Sequence, residues 1–394
     1  MSHIKLKSTE VKDFLKHIIS NNQDLQKEGK KTVAVEVIGE AGLGKTSSIQ
    51  QLAKELQLDF VKLNLAQIEE LGDLVGFPVK QFQMAKVTED VIPEVNWVDE
   101  VAIASYEKEG YRLTGKKRMS YAAPEWIADK TEGGILLLDD WTRADQRFIQ
   151  ACMELIDRQE YISWKLPKNW HIVLSANPAN GKYTVTEIDE AVQTRYISVE
   201  LTFDVQEWAK WAEAEGIDGR CINFLLLNPE VVNSKVNPRS IVTFFNAISS
   251  IKDFENNLPL IQMIGEGCVG SATSGMFVSF INNRLDKLIT PKEMFSAAED
   301  TLRTKLRELV GSTNLGTYRA DIASVLCTRA INYSVTFSEK NKIEKDYLDR
   351  IEMLIMEDYF GADLNYHMVK SLFACGQKFK MLTLRQTLTK YIIA

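Results

Sequence analysis

The chain has 394 residues, of which 45% are hydrophobic and 26% charged, and a formal net charge of −7. That length exceeds one ordinary core and predicts two or three packed units. The acidic balance argues against a protein that coats nucleic acid through bulk charge, leaving only a local basic patch for such contacts.

The N-terminal stretch places Val11, Phe14, Leu15, Ile18 and Ile19 at the spacing of an amphipathic helix, not in the apolar block of a signal peptide, so residues 1–30 are expected to be a helical segment. Next, "TVAVEVI" (32–38) is a β-branched apolar run ending in glycine, which suits a strand buried on both faces. After the loop from Gly39 to Thr46, Ile49, Leu52, Ala53 and Leu56 recur at helical spacing. "DFVKLNL" (59–65) reads as a second strand. Strand, glycine loop and helix in that order open a parallel α/β sheet.

The next buried strand is "GILLL" (134–138), closed by Asp139 and Asp140. The long polar excursion before it is unusual for a compact crossover and predicts an insertion with structure of its own. Within that insertion, the two strand-like runs around Gly115, Lys116 and Lys117 predict a hairpin near residues 110–121. Phe148, Ile149, Cys152, Met153, Leu155 and Ile156 mark a helix, "EYISWKLPKNW" a hairpin-like piece, and "HIVLSAN" a fourth strand.

Beyond residue 203 the pattern turns helical. The expected organisation is a core over 31–202, a helical lid over 203–310 and a helical C-terminal extension over 311–394. The low-charge stretch 260–281 carries Gln262, Glu266 and four glycines, which favours close helix packing over a membrane span. The fold class expected is α/β: a parallel sheet with helices on both faces, followed by the all-α lid and extension.

Gly39-Glu40-Ala41-Gly42-Leu43-Gly44-Lys45-Thr46 matches G-x-x-x-x-G-K-[ST]. Glycines let a backbone wrap a phosphate chain with its amides pointing inward, and the following helix offers its positive end. Lys45 would neutralise the outer phosphates, the Thr46 hydroxyl would reach magnesium, and Ser47 completes the set. These residues point to a nucleoside triphosphate with Mg2+. Asp139 ends an apolar strand, where a carboxylate can hold the ion, and Asp140 would orient or deprotonate the attacking water. The chemistry expected is therefore nucleotide hydrolysis.

These motifs, with "SANP" (175–178), "EAVQTRY" (190–196) and "NPRS" (237–240), run in one order over residues 32 to about 250. In that order the chain resembles the AAA+ ATPases, and within them the MoxR group of the helix-2-insert branch. The resemblance implies a ring, commonly a hexamer, with ATP between neighbouring subunits. Carried over by position, Asn177 is similar to the polar residue that senses the terminal phosphate, Arg195 to the arginine that reaches into the next subunit's site, and Arg239 to the sensor arginine of the lid. Arg143 aligns with the arginine of the group's D-E-x-x-R-A pattern, where a salt bridge is as good a reading as a phosphate contact.

Asp140 stands where the pattern has glutamate, one methylene longer, so slow hydrolysis is an open alternative, as in an ATP-gated scaffold. The insertion stands where the branch carries a hairpin, and Lys116, Lys117 and Arg118 there are either a solvated turn or a grip on an acidic partner or phosphate backbone. The function expected is a cytosolic ATP-driven machine remodelling a protein client, with a von Willebrand A domain protein as the partner the resemblance implies. The alternative is an ATP-dependent nucleic-acid motor or loader. The dispersed cysteines (Cys152, Cys221, Cys268, Cys327, Cys375) and four histidines suit reduced thiols, not a disulfide framework or a zinc site.

Overall fold

The computed structural model describes residues 3–86, 93–181, 183–233, 235–283, 285–311, 317–357, 359–376, 378–379, 382 and 385–388. The chain divides into two compact units, Met1–Thr202 and Phe203–Ala394.

The first unit is built on a six-stranded parallel sheet. Its strands are β1 (Ile4–Leu6), β2 (Ala34–Ile38), β3 (Asp59–Asn64), β7 (Gly134–Asp139), β10 (Trp170–Ala176) and β11 (Tyr196–Leu201), in the order β1-β11-β2-β10-β7-β3. The order explains the composition. Strands β2, β7 and β10 lie inside the sheet with helices over both faces, so nearly every residue in them is buried and the sequence reads as unbroken apolar runs. On one face Val35, Val37, Ile135, Leu137 and Val173 pack against Val11 and Leu15 of α1 (Ser8–Lys27) and Ile49 and Leu52 of α2 (Lys45–Glu55). On the other, Leu136, Leu138, Ile172 and Leu174 meet Phe148, Ile149, Cys152 and Leu155 of α6 (Gln146–Arg158). Each such side chain contributes roughly 1.5–3 kcal/mol when withdrawn from water.

The sheet extends past the strands that the sequence pattern marks. Ile4–Leu6 pair in parallel with Val199–Leu201, and Tyr196–Glu200 pair with Ala34–Ile38. The N-terminal helix therefore follows an edge strand of the same sheet.

The insertion holds a second, antiparallel sheet of β4 (Pro78–Lys86), β5 (Glu94–Asp99) and β6 (Arg112–Tyr121), in the order β5-β4-β6. The short helices α3 (Leu71–Val75) and α5 (Glu125–Ala128) flank it in sequence, and α4 (Ile103–Lys108) connects β5 to β6. This corrects the hairpin expected at 110–121: there is no reversal at Gly115. β6 runs through as one strand beside β4, and the register jumps between Phe82↔Lys117 and Met84↔Leu113. Gly115, at φ +83, absorbs the extra residues as a bulge, which bends a strand without ending its pairing. A two-residue hairpin does occur between β8 (Glu160–Tyr161) and β9 (Trp164–Lys165).

The second unit is helical in its described residues. Helices α8 (Val205–Ala214), α9 (Gly219–Leu227), α10 (Pro238–Ile248) and α11 (Leu258–Asn282) enclose Phe224, Phe244, Phe245 and Phe277. α12 (Pro291–Ser296), α13 (Glu299–Val310), α14 (Ala320–Lys340), α15 (Lys345–Met356) and α16 (Gly361–Ala374) form the other core. Helix α11 is broken at Gly270, at φ +81 and ψ 164, and folds back so that Ser274 Oγ donates to the Gln262 carbonyl at 2.9 Å. A Cβ at Gly265 would stand 2.6 Å from Ser274 Oγ, so this glycine permits the close return. No helix of the described residues is long and apolar enough to cross a membrane.

Candidate functional site

Strand β2 hands its C-terminal end to the loop 39–46, and α2 begins at Lys45. Gly42 and Gly44 lie at φ +82 and +85, the left-handed region that only glycine adopts without cost, and this lets successive amides turn to one side. The N-cap of α2 is Gly44, with no side-chain cap hydrogen bond and no acid in its first turn. Such a helix start offers its amides to an anion.

Three strand ends converge on the loop. Asp139, at the end of β7, is 8% exposed, and it accepts from Thr46 Oγ1 at 3.3 and 3.2 Å. Ser175 Oγ of β10 donates to Asp139 Oδ1, and Lys62 Nζ of β3 lies 3.1 Å from Asp139 Oδ2. Asn177, just beyond β10, accepts from Lys45 Nζ at 3.2 Å and donates to Asp140 Oδ1 at 3.1 Å. Lys45 Nζ also donates to the Gly39 and Glu40 carbonyls. Asp140 sits at φ +50, with its amide donating to Ser175 Oγ at 3.3 Å and Arg143 Nη1 at 3.8 Å from Oδ2.

Thr46 and Asp139 are hard oxygen donors a few ångströms apart. That suits a magnesium ion, which takes one or two protein oxygens and completes its shell with phosphate and water. Among the described residues, no group of three or more His, Cys, Asp or Glu could hold a metal by itself. The five cysteines are unbridged, and burial pushes the Cys152 thiol up to about 12.

The acidic turn has a buried support. Trp141, fully buried, donates from Nε1 to Glu36 Oε1 at 2.9 Å, and Ser198 Oγ donates to Oε2 at 2.6 Å. Burial raises the pKa of Glu36, partly offset by these two bonds. The Trp141 ring meets Tyr196 edge-on at 5.5 Å.

Loop 39–46, Asp139, Asp140 and Asn177 are thus brought together, with Arg143 beside them. Arg195 is not with them. Its neighbour Tyr196 pairs with Ala34, the first residue of β2, so Arg195 stands at the opposite end of that strand from Gly39, about 20 Å away at the usual strand rise. There it lines an open recess of 660 Å3 with Lys31, Asp157 and Thr194. Arg239 belongs to the second unit, exposed at the start of α10. In "NPRS", Asn237 caps the helix by accepting from the Ser240 amide at 3.0 Å, and Pro238 fills the first turn. Lys62, Ser175 and Tyr183, whose phenol accepts from the Ala41 amide at 3.1 Å, are site residues to which the sequence alone assigns no role. The one available signal was Lys62, a cation interrupting the apolar run of β3.

Fold and site define a class: an α/β P-loop NTPase fold, with the loop after β2, third in the sheet order, and the acids at the end of β7, two strands over with β10 between. No family model and no curated protein matches the chain. Among solved structures, a proline-to-glycine variant of Thermotoga maritima RuvB is similar at 14% identity and a TM-score of 0.37, covering 83% of this chain and 90% of that one. A lysine-to-arginine variant of the same protein is similar at 14% identity and a TM-score of 0.36, covering 86% and 87%. A third similar structure is described as the T. maritima RuvB Holliday junction branch migration motor, at 14% identity and a TM-score of 0.34, covering 82% and 87%.

Proposed function

We propose that the first unit is an AAA+ ATPase core of the MoxR-like kind, binding ATP with Mg2+ at residues 39–47 and hydrolysing it. The observation that carries this reading is the meeting of Thr46 with Asp139, 93 positions apart in sequence, at 3.2 Å. A glycine turn that matched the motif by chance would have no reason to bring a strand-end carboxylate to its threonine.

The bound ion would screen the phosphate oxygens and favour attack at the terminal phosphorus. The chain's own groups do the rest. The loop amides and Lys45 hold the triphosphate, while Thr46 and Asp139 orient the ion. Asn177, bonded to both Lys45 and Asp140, aligns the terminal phosphate with the water that Asp140 holds or deprotonates. Arg195 lies too far from its own loop to serve it, which supports a site completed by the Arg195 of a second copy, as in a ring.

In this reading the ring, a hexamer by resemblance, remodels a protein client, for which a von Willebrand A domain protein is the first candidate. Calorimetry with MgATP on the parent and on Lys45→Ala tests the core of it. Uptake by the parent and none by the variant is expected, and no uptake by folded parent overturns it.

One observation favours a second reading, an ATP-dependent nucleic-acid motor or loader. Strands β4 and β6 carry Lys80, Lys86, Arg112, Lys116, Lys117 and Arg118 and no acid, in a chain of net charge −7. Against it, several of these cations already have partners: Lys80 and Lys117 lie over Phe82 at 5.3 and 5.5 Å, and Arg118 lies over Trp97 at 4.6 Å. Turnover with and without single-stranded DNA separates the two, since several-fold stimulation favours the motor and none favours the protein remodeller.

A further inference from the structure

An acid inside a phosphate loop needs a reason, because a carboxylate repels the triphosphate the loop is shaped to hold. Glu40 is the second residue of that loop, and the donors to its side chain include a phenol and an amide. Tyr183 Oη donates to Oε2 at 2.5 Å, and Asn180 Nδ2 donates to Oε1 at 2.9 Å. The phenol also accepts from the Ala41 amide at 3.1 Å, so Tyr183 joins the carboxylate of one loop residue to the backbone of the next.

Both donors come from one connection, residues 178–189, between Asn177 and the Asp189 cap of α7 (Glu190–Gln193). That connection is itself tied to the acidic turn. The Thr186 amide donates to the Thr142 carbonyl at 2.7 Å, and Thr186 Oγ1 donates to the Ala144 carbonyl at 3.0 Å. The latch is therefore anchored on its far side and does not hang from Glu40 alone.

We propose that Tyr183, with Asn180, is a positioning residue that pins the Glu40 carboxylate to the 178–189 connection and so keeps its charge off the triphosphate seat. This rests on the ATP reading above. It assigns Glu40 the role of a tether for the connection, not that of a phosphate ligand, and makes Tyr183 a determinant of how tightly triphosphate binds. Without the phenol, the carboxylate is held less firmly on the one loop where three phosphates gather. Triphosphate then suffers more than diphosphate, because it carries more charge into the same field.

The test is a cycle of Tyr183→Phe, Glu40→Gln and the double variant, with dissociation constants for MgATP and MgADP and a thermal melt of each. Tyr183→Phe is expected to weaken MgATP about tenfold, and MgADP by less. Glu40→Gln is expected to bind MgATP more tightly than the parent, and the double variant to match Glu40→Gln, since no charge is left to restrain. A Tyr183→Phe penalty that persists undiminished in the Glu40→Gln background means a merely structural tyrosine and overturns the proposal. So does a Tyr183→Phe protein that binds like the parent. Should Tyr183→Phe fail to fold, Asn180→Ala removes the other donor and must shift MgATP affinity in the same direction, and an unchanged affinity overturns the proposal. A parent that binds neither nucleotide fails the ATP reading instead, and the two failures are distinct.

Discussion

Lys45 Nζ and Asn177 Oδ1 stand 3.2 Å apart, joining the phosphate loop to the strand end that also carries Asp140's partner. The amide of Asn177 thus faces a cation with its oxygen and a carboxylate with its nitrogen. Replacing it by alanine removes both links while leaving the loop amides in place. Asn177→Ala is expected to keep MgATP affinity within a few-fold and to lower kcat by about 10²-fold, the scale on which a positioned polar group contributes to a transition state. Steady-state turnover beside a direct binding measurement checks it. An equal loss in both would make Asn177 a general support of the loop.

Lys62 approaches the same carboxylate from β3, at 3.1 Å from Asp139 Oδ2 and with its side chain 42% exposed. In the proposed ATP site, a cation there would compete with magnesium for Asp139. Because the lysine is partly solvated, the pair is worth only about 0.2–1 kcal/mol. Lys62→Met should therefore lower the Mg2+ concentration giving half-maximal turnover by about two- to fivefold. A magnesium titration at saturating ATP reads this, and a rise in the requirement would show that Lys62 helps to build the ion's seat.

The parts of the fold that were legible in the sequence are those whose physics is local. β2, β7 and β10 are buried on both faces, so they read as apolar runs. The glycine loop, Asp139 and Asp140 follow directly at strand ends, where the residue pattern marks them, whereas Asn177 was marked only by the resemblance. β11, "YISVEL", keeps Glu200 and Ser198 partly exposed, and β1 is three residues long. β11 does alternate apolar and polar residues over Ile197–Leu201, a strand period that was there to be read, while β1 is too short to carry one. The roles of Tyr183, Ser175 and Lys62 were not legible for another reason, although Ser175 opens "SANP" and Lys62 interrupts an apolar run. Their roles depend on contacts across 143, 36 and 77 positions, made only once the sheet order brings β10, β7 and β3 side by side.

His171, on β10, is 2% exposed, and neither ring nitrogen has a hydrogen-bond partner among the described residues. Burial alone pushes its pKa down from 6.5 to about 4. The folded state thus holds a neutral imidazole where the unfolded chain takes up a proton. Between pH 6.5 and 4 the unfolded state binds more protons, so stability is full above 6.5 and falls as the pH drops, by roughly 3 kcal/mol in total. Denaturant midpoints at pH 7.5 and 4.5 should show this loss, and His171→Leu should shrink it. An unchanged difference in that variant would place the acid sensitivity elsewhere.

In the second unit Arg329, 4% exposed, pairs with Glu213 at 3.1 Å and donates to Asn223 Oδ1 at 3.1 Å. This ties α14 to α8 and α9. Removing one partner of such a pair leaves a buried charge without its counter-charge, at a cost of about 3–5 kcal/mol. Glu213→Ala should lower Tm by on the order of 10 °C, and Arg329→Met with Glu213→Leu should recover most of it. A double variant as unstable as the single one would show that packing, not charge, is what the pair supplies.

Arg195 provides the sharpest test of a shared site, because its distance from its own loop rules out help in cis. If a neighbour's Arg195 completes each site, Arg195→Ala keeps MgATP affinity and loses about 10³-fold or more in turnover. Lys45→Ala loses binding and turnover but still carries an intact Arg195. Mixing the two inactive proteins then creates interfaces with a whole loop on one side and a whole arginine on the other. Turnover should reappear on mixing, pass through a maximum near equal amounts, and rise more steeply than linearly with total protein. Two dead variants that stay dead together, while each still assembles by sedimentation, would mean that Arg195 serves no neighbour. Its place at the far end of β2, beside Lys31 and Asp157, would then be a matter of surface charge alone.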